Sequence, residues 1–314
     1  MLPFWLSIAL LSLVQGGVVA IPGSATAPKL ARLRGRRWAL IPPVSVLAFV
    51  VITSAAEHAS AQGLTYLALV AVPLLAAVFL GWPARDSGPG GPRAGGGGPR
   101  VARALLVVPL FLLAWVDRGG LAGQAAALVL TALSCVTLGM LLAAVTPPRW
   151  LAAGIIAMAI ADTALVVSDL LQRPNNALNA AHPAAGLPRL QSAALGSAVM
   201  GYGDLFIAAA LGALLALSAG RSLQWRAARL TMLLALCFDL LFFFVNELPA
   251  TVPVALTLTL LIAARWRRSA RVRPAPAPAA VGLRRAHLLA PRPQRQAPAS
   301  ARQRARLDPP RAAP

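Results

Sequence analysis

Two aspartates lie where acids are expensive. Asp162 and Asp204 each sit inside a long apolar stretch, and the two stretches are consecutive. An ionised Asp near a bilayer centre costs at least ~2.5–3.5 kcal/mol, so such residues are rare and mark functional sites by default. Asp204 closes the run Gly201-Tyr202-Gly203-Asp204. Two carboxyls held close together cannot easily both ionise, so the pair holds a single proton. The charged member then draws a proton from a shared water as general base, and the protonated member donates to a carbonyl as general acid. That is chemistry for splitting a peptide bond with water. Sequence does not assign the two roles, because such a pair titrates as a unit.

The remaining acids are few enough to place. Glu57, Asp86, Asp117, Glu247 and Asp308 fall in loops, at helix ends or in the tail. Asp169 follows Asp162 by seven residues, on about the same helical face, and reads as a membrane-rim residue beside Gln172 and Arg173. Asp239, between Phe238 and a Phe-rich run, is expected either to bond a neighbouring helix or to line a water-filled cavity. It is the main rival for a place in the pair. Cys135 and Cys237 lie in apolar segments and read as core residues, and His58, His182 and His287 lack metal-ligand spacing. No metal or other cofactor is expected.

The elements that must position these acids are membrane helices. Of 314 residues, 58% are hydrophobic and only 12% charged, about half the charged share of a soluble domain. Nine apolar segments can be counted, roughly Leu2–Ile21, Trp38–Ala56, Gly63–Trp82, Val101–Val116, Leu121–Val145, Trp150–Leu171, Ala193–Ser218, Arg229–Val245 and Pro249–Ala264. Lipid satisfies no backbone polar groups, so these must be helices, and the expected fold is all-α and polytopic. The first segment lacks a basic flank and is long for a signal peptide, so it reads as a retained helix. No internal repeat of the transporter kind is visible.

Charge sets the expected orientation. With the tail set aside, thirteen basic residues fall on one side of the alternating segments and only Arg118, Arg173 and Arg189 on the other. The positive-inside rule then predicts a multi-pass plasma-membrane protein, N-terminus outside and C-terminus cytoplasmic. Residues 1–265 form the expected membrane domain, with a flexible Gly/Pro-rich cytoplasmic loop at 83–100. Residues 266–314 form a basic Pro/Ala/Arg tail too poor in large apolar side chains to order itself. The tail fixes topology, with adhesion to anionic lipid as a further role. It lacks the aromatic interleaving that nucleic-acid binding uses.

Segment lengths give the depth of each acid. Asp162 is about 12 residues into the sixth segment, ~18 Å deep, and Asp204 about 11 residues into the seventh, ~17 Å from the opposite face. In a ~30 Å hydrocarbon core the two depths meet near the midplane. Gly201 and Gly203 are expected to loosen the helix and admit a close backbone, as Gly196 and Ser197 do a turn earlier.

Taken together, these residues resemble the intramembrane aspartyl proteases of the presenilin and signal peptide peptidase family. That family has nine helices, one catalytic Asp on the sixth in Tyr-Asp, the other on the seventh in Gly-x-Gly-Asp, and a Pro-Ala-Leu motif opening the ninth. Here the sixth segment gives Ala161-Asp162, the seventh Gly201-Tyr202-Gly203-Asp204, and the ninth Pro249-Ala250-Thr251. The resemblance implies catalysis by Asp162 and Asp204, with Gly201, Tyr202, Gly203, Pro249, Ala250 and Thr251 shaping the site. It implies transmembrane or signal-peptide substrates, with the N-out orientation suggesting type II ones. Ala161 and Thr251 depart from the family's tyrosine and leucine. The stretch Leu187-Pro188-Arg189-Leu190-Gln191 resembles the family's substrate-pairing strand, which would hold a substrate extended.

Type IV prepilin peptidases also carry Gly-x-Gly-Asp, but with a Lys two residues after the Asp, where this chain has Phe206. A non-catalytic binding member of the family, and a proton-coupled carrier relaying through Asp162, Asp204 and Asp239, are the other readings.

Overall fold

The computed structural model describes residues 3–23, 30, 32–81, 98–245 and 247–272. The chain divides into Met1–Trp266 and Arg267–Pro314. The Gly/Pro-rich loop before Gly98 and the tail after Val272 lie outside the described residues.

The chain is mainly helical. A short α1 (Phe4–Ala20) is followed by a 3-10 turn, Arg36–Leu40, that runs into α2 (Ile41–Ala55). Next come α3 (Glu57–Gly81), α4 (Gly98–Ala104), α5 (Val107–Val116) and α6 (Leu121–Val145). Then follow α7 (Pro148–Val167) and the short polar α8 (Gln172–Ala180). Two strands, β1 (Ser192–Leu195) and β2 (Ala198–Gly201), precede α9 (Tyr202–Ser218), α10 (Arg221–Asp239) and α11 (Val252–Val272). Prolines open α2 and α7 in the first turn, where a missing N–H breaks no helical bond.

Four helices are long and apolar enough to cross a membrane: Arg36–Ala55, Glu57–Gly81, Leu121–Val145 and Pro148–Val167. Phe4–Ala20, Val101–Val116 and Tyr202–Ser218 are apolar but shorter. Large apolar side chains cover the outside of this bundle; Leu67, Val70 and Leu74 on α3 are each 62% exposed. Side chains of that kind, repeated along a helix, suit contact with lipid better than with water.

The core is built around α9. Ile207, Ala208, Ala209, Ala210 and Leu211 are wholly buried in sequence order, so α9 is covered on all sides, as an all-round apolar helix must be. It lies between α6, α1, α7 and α10. Glycines set two of these approaches. A Cβ on Gly139 would stand 2.7 Å from the carbonyl carbon of Ala209, so α6 and α9 touch through backbone. A Cβ on Gly212 would run into the Val19 carbonyl of α1. Small residues permit this closeness between membrane helices.

Four expectations change. The sixth apolar segment, expected to reach Leu171, ends as α-helix at Val167. The fourth apolar segment is broken into α4 and α5 by a turn at Leu105 and Leu106. The eighth begins at Arg221 and ends as α-helix at Asp239. The seventh is not helical from Ala193: its first part is an antiparallel hairpin pairing Ser192 with Gly201 and Leu195 with Ala198. Gly196 is the turn residue, at φ 61°, in the left-handed region that glycine enters without penalty. The fold is therefore helical with one small two-stranded sheet.

Candidate functional site

The hairpin decides where Asp204 sits. Gly201 ends β2 and Tyr202 begins α9, so Asp204 is the third residue of its helix. The ~17 Å depth expected from segment length therefore does not apply. Asp162 lies five residues before the C-terminal end of α7, ~8 Å from it. The two acids thus meet where α7 ends and α9 begins, beside the hairpin. Both side chains line one cavity of about 970 Å³, near enough for the charge of Asp162 to bear on Asp204. Pockets of this size take ligands on the scale of a peptide segment.

Each carboxylate is held at a helix N-terminus, where free N–H groups point at an anion. For Asp204 the helix is its own. Its Oδ2 accepts from the Gly201 N–H at 3.1 Å, three residues back. For Asp162 the helix is another. The Thr251 hydroxyl donates to Asp162 Oδ2 at 2.6 Å. Thr251 is wholly buried and Asp162 only 8% exposed. The Thr251 carbonyl accepts from the Ala255 N–H at 3.1 Å, which makes Thr251 the N-cap residue of α11.

The other expected site residues fall around this pair. Gly201 and Gly203 mark a strand-to-helix junction; they do not loosen a helix already under way. Gly203 lies against Met158 of α7, whose Cε would be 3.6 Å from an added Cβ. Tyr202 turns toward α6: its hydroxyl lies 2.9 Å from Ser134 Oγ, and its carbonyl accepts from the Cys135 thiol at 3.6 Å. Pro249 is buried behind the site, and Ala250 lines the cavity. Leu187–Gln191 is not a strand; pairing begins one residue later, at Ser192. Gln191 is instead a brace, its Nε2 3.3 Å from the carbonyls of Leu178 and Ala181 at the end of α8.

Asp169 lies outside the cavity, whereas Asp239 shares it with the pair. Asp169 ends α7 at φ 57°. Its N–H bonds the Val166 carbonyl, and the Leu170 N–H bonds Leu165, each at 3.0 Å. That is a Schellman cap with Asp in the place usually taken by Gly. Asp239 bonds a neighbouring helix, accepting from Ser12 Oγ of α1 at 2.6 Å, and its side chain also lines the cavity. Beyond the helices, burial pushes the Glu247 carboxyl above its ordinary range, with the charge of Asp169 adding to the effect.

One contributor went unseen in the sequence. Gln15, on α1, is 1% exposed and donates from Nε2 to the Ala250 carbonyl at 2.7 Å. An amide in the middle of an apolar helix was the available signal. Among the described residues no group of His, Cys, Asp and Glu has the makings of a metal site. No protein-family model, no curated protein and no solved structure matches this chain.

Proposed function

We propose that this chain is an intramembrane aspartyl endopeptidase, a divergent member of the presenilin and signal peptide peptidase family, with Asp162 and Asp204 as its catalytic pair. The observation that carries the reading is the meeting of the two acids. Both carboxyls line one cavity, each anchored at a helix N-terminus. On this reading nine helices cross the plasma membrane, with the N-terminus outside and the C-terminus in the cytoplasm. The short spans α1 and α9 are completed by neighbouring turn and hairpin. The close succession of α7, hairpin and α9 favours this family over the prepilin peptidases, as does Phe206 in place of their lysine.

The mechanism follows from the pair. One carboxylate takes a proton from a water lodged between the acids. The oxygen of that water attacks the peptide carbonyl, whose oxygen receives the proton of the other carboxyl. Collapse of the tetrahedral intermediate breaks the C–N bond, and the amine leaves with a proton returned by the pair. Water and peptide are pre-positioned in a cavity walled by apolar side chains, among them Met158, Phe206 and Pro253. Substrates are single membrane-spanning segments in type II orientation, including remnant signal peptides, and anionic lipid gathers at the basic tail.

The test uses a membrane-anchored type II reporter reconstituted with the purified chain. Cleavage is expected from the native chain and from neither Asp162→Ala nor Asp204→Ala. Cleavage that persists undiminished in both variants would remove the proposal.

A further inference from the structure

We infer that Thr251 is the positioning residue for Asp162. This rests on the protease reading above and adds a part to it. A leucine at this place, as the family resemblance leads one to expect, offers its backbone N–H and nothing more. Thr251 adds a side-chain donor: its hydroxyl donates to Asp162 Oδ2 at 2.6 Å. Thr251 does not line the cavity; it lies behind Asp162 and acts only through it.

The bond is built, not incidental. Thr251 is 0% exposed, so no water competes for its hydroxyl. The loop that carries it is pinned from a third helix: Gln15 of α1 holds the carbonyl of Ala250, the residue just before. Asp162 has no capping residue of its own nearby, since it sits within α7 and its neighbour is Ala161. A carboxylate on an Asp side chain has two free torsions, and catalysis loses about a hundredfold for a misplacement near 1 Å. The Thr251 hydroxyl, carried on an N-cap, holds the carboxyl in one place. The positioning duty thus falls to the N-terminus of α11, 89 residues away.

The experiment compares the native chain with Thr251→Val, Thr251→Ser and Thr251→Ala in proteoliposomes. Val keeps the shape and removes the hydroxyl, Ser keeps the hydroxyl, and Ala serves should Val not fold. With the reporter peptide, kcat falls about tenfold or more in Val and Ala, KM stays within about twofold, and Ser restores kcat. Independently of cleavage, the infrared carboxyl band that disappears in Asp162→Asn is followed in each variant. It is expected at one frequency in the native chain and Ser, and displaced in Val and Ala. An unmoved band in all variants overturns the inference, as does loss of kcat in Ser equal to that in Val. A displaced band in a chain that never cleaves the reporter upholds the Thr251 bond while removing the protease reading.

Discussion

Asp204 and Asp162 are braced at opposite extremes of chain distance. Asp204 is held by the Gly201 N–H, three residues away, at the junction where a strand becomes a helix. Asp162 is held by Thr251, 89 residues away, at the start of a helix from the far end of the domain. The local setting repeats: each carboxylate faces the N–H end of a helix. The routes to it differ. A brace of three residues forms with its own turn, whereas a brace of 89 exists only once α7, α11 and α1 have packed. One half of the pair is therefore made by local chain geometry and the other by the tertiary fold.

If the two halves make one catalytic unit, removing either must be as damaging as removing both. Asp162→Asn and Asp204→Asn are each expected to lower reporter cleavage below detection, and the double variant to behave no worse, because paired acid–base groups are non-additive. Thermal unfolding in detergent should stay close to native, which separates lost chemistry from lost fold. A variant retaining a tenth of native turnover would break the symmetry between the two acids.

The local brace has its own probe. Gly201 adopts φ −65°, which any residue accepts, yet an added Cβ would stand 2.9 Å from Asp204 Oδ2. Gly201→Ala is therefore expected to displace the carboxyl without straining the backbone. Cleavage should fall by about a hundredfold, while circular dichroism and unfolding temperature hold.

How far the sequence reached follows the same division. An acid in an apolar stretch is costly wherever it folds, so Asp162 and Asp204 were legible at once. Gly-x-Gly-Asp was legible because its brace is local. The hairpin was not: Ser192–Gly201 is made of small and apolar residues, and a run of four per strand carries no period that separates strand from helix. The end of α7 was overrun because Asp169 caps it in a conformation that usually announces itself by glycine. Gln15 and Thr251 meet their partners across 235 and 89 residues, and pairings of that span leave no trace in one sequence. Thr251 stood out only as a departure from the motif it was compared with.

The local brace still depends on the packing of the helix it opens, and that dependence can be measured. α9 lies against α6 through Gly139, where an added Cβ would be 2.7 Å from the Ala209 backbone. Gly139→Ala should cost about 1–3 kcal/mol through overpacking, outweighing the helix-propensity gain of up to ~1 kcal/mol. Gly17 of α1 has open space around it, with nothing within 4 Å of an added Cβ, so Gly17→Ala should show the gain alone. Opposite shifts in unfolding temperature are expected. At the same interface Tyr202→Phe removes the hydroxyl that meets Ser134, and should lower stability by about 1 kcal/mol.

The smallest effect is expected at Asp239, which lines the same cavity along with Glu247, and it tests the rule drawn from the pair. Asp239 is also braced at long range, by Ser12 of α1, but it sits where α10 runs on into a 3-10 turn, Leu240–Phe243, and its side chain makes no capping bond there. Long-range bracing without a capping bond should therefore produce no catalytic group. Asp239→Asn keeps an acceptor for the Ser12 hydroxyl while removing the charge. Reporter turnover and unfolding temperature should both stay close to native. Loss of cleavage on this substitution would make Asp239 a member of the working set. Loss of a proton-coupled flux, with Asp162→Asn still active in it, would turn the cavity from a hydrolytic site into a carrier's relay.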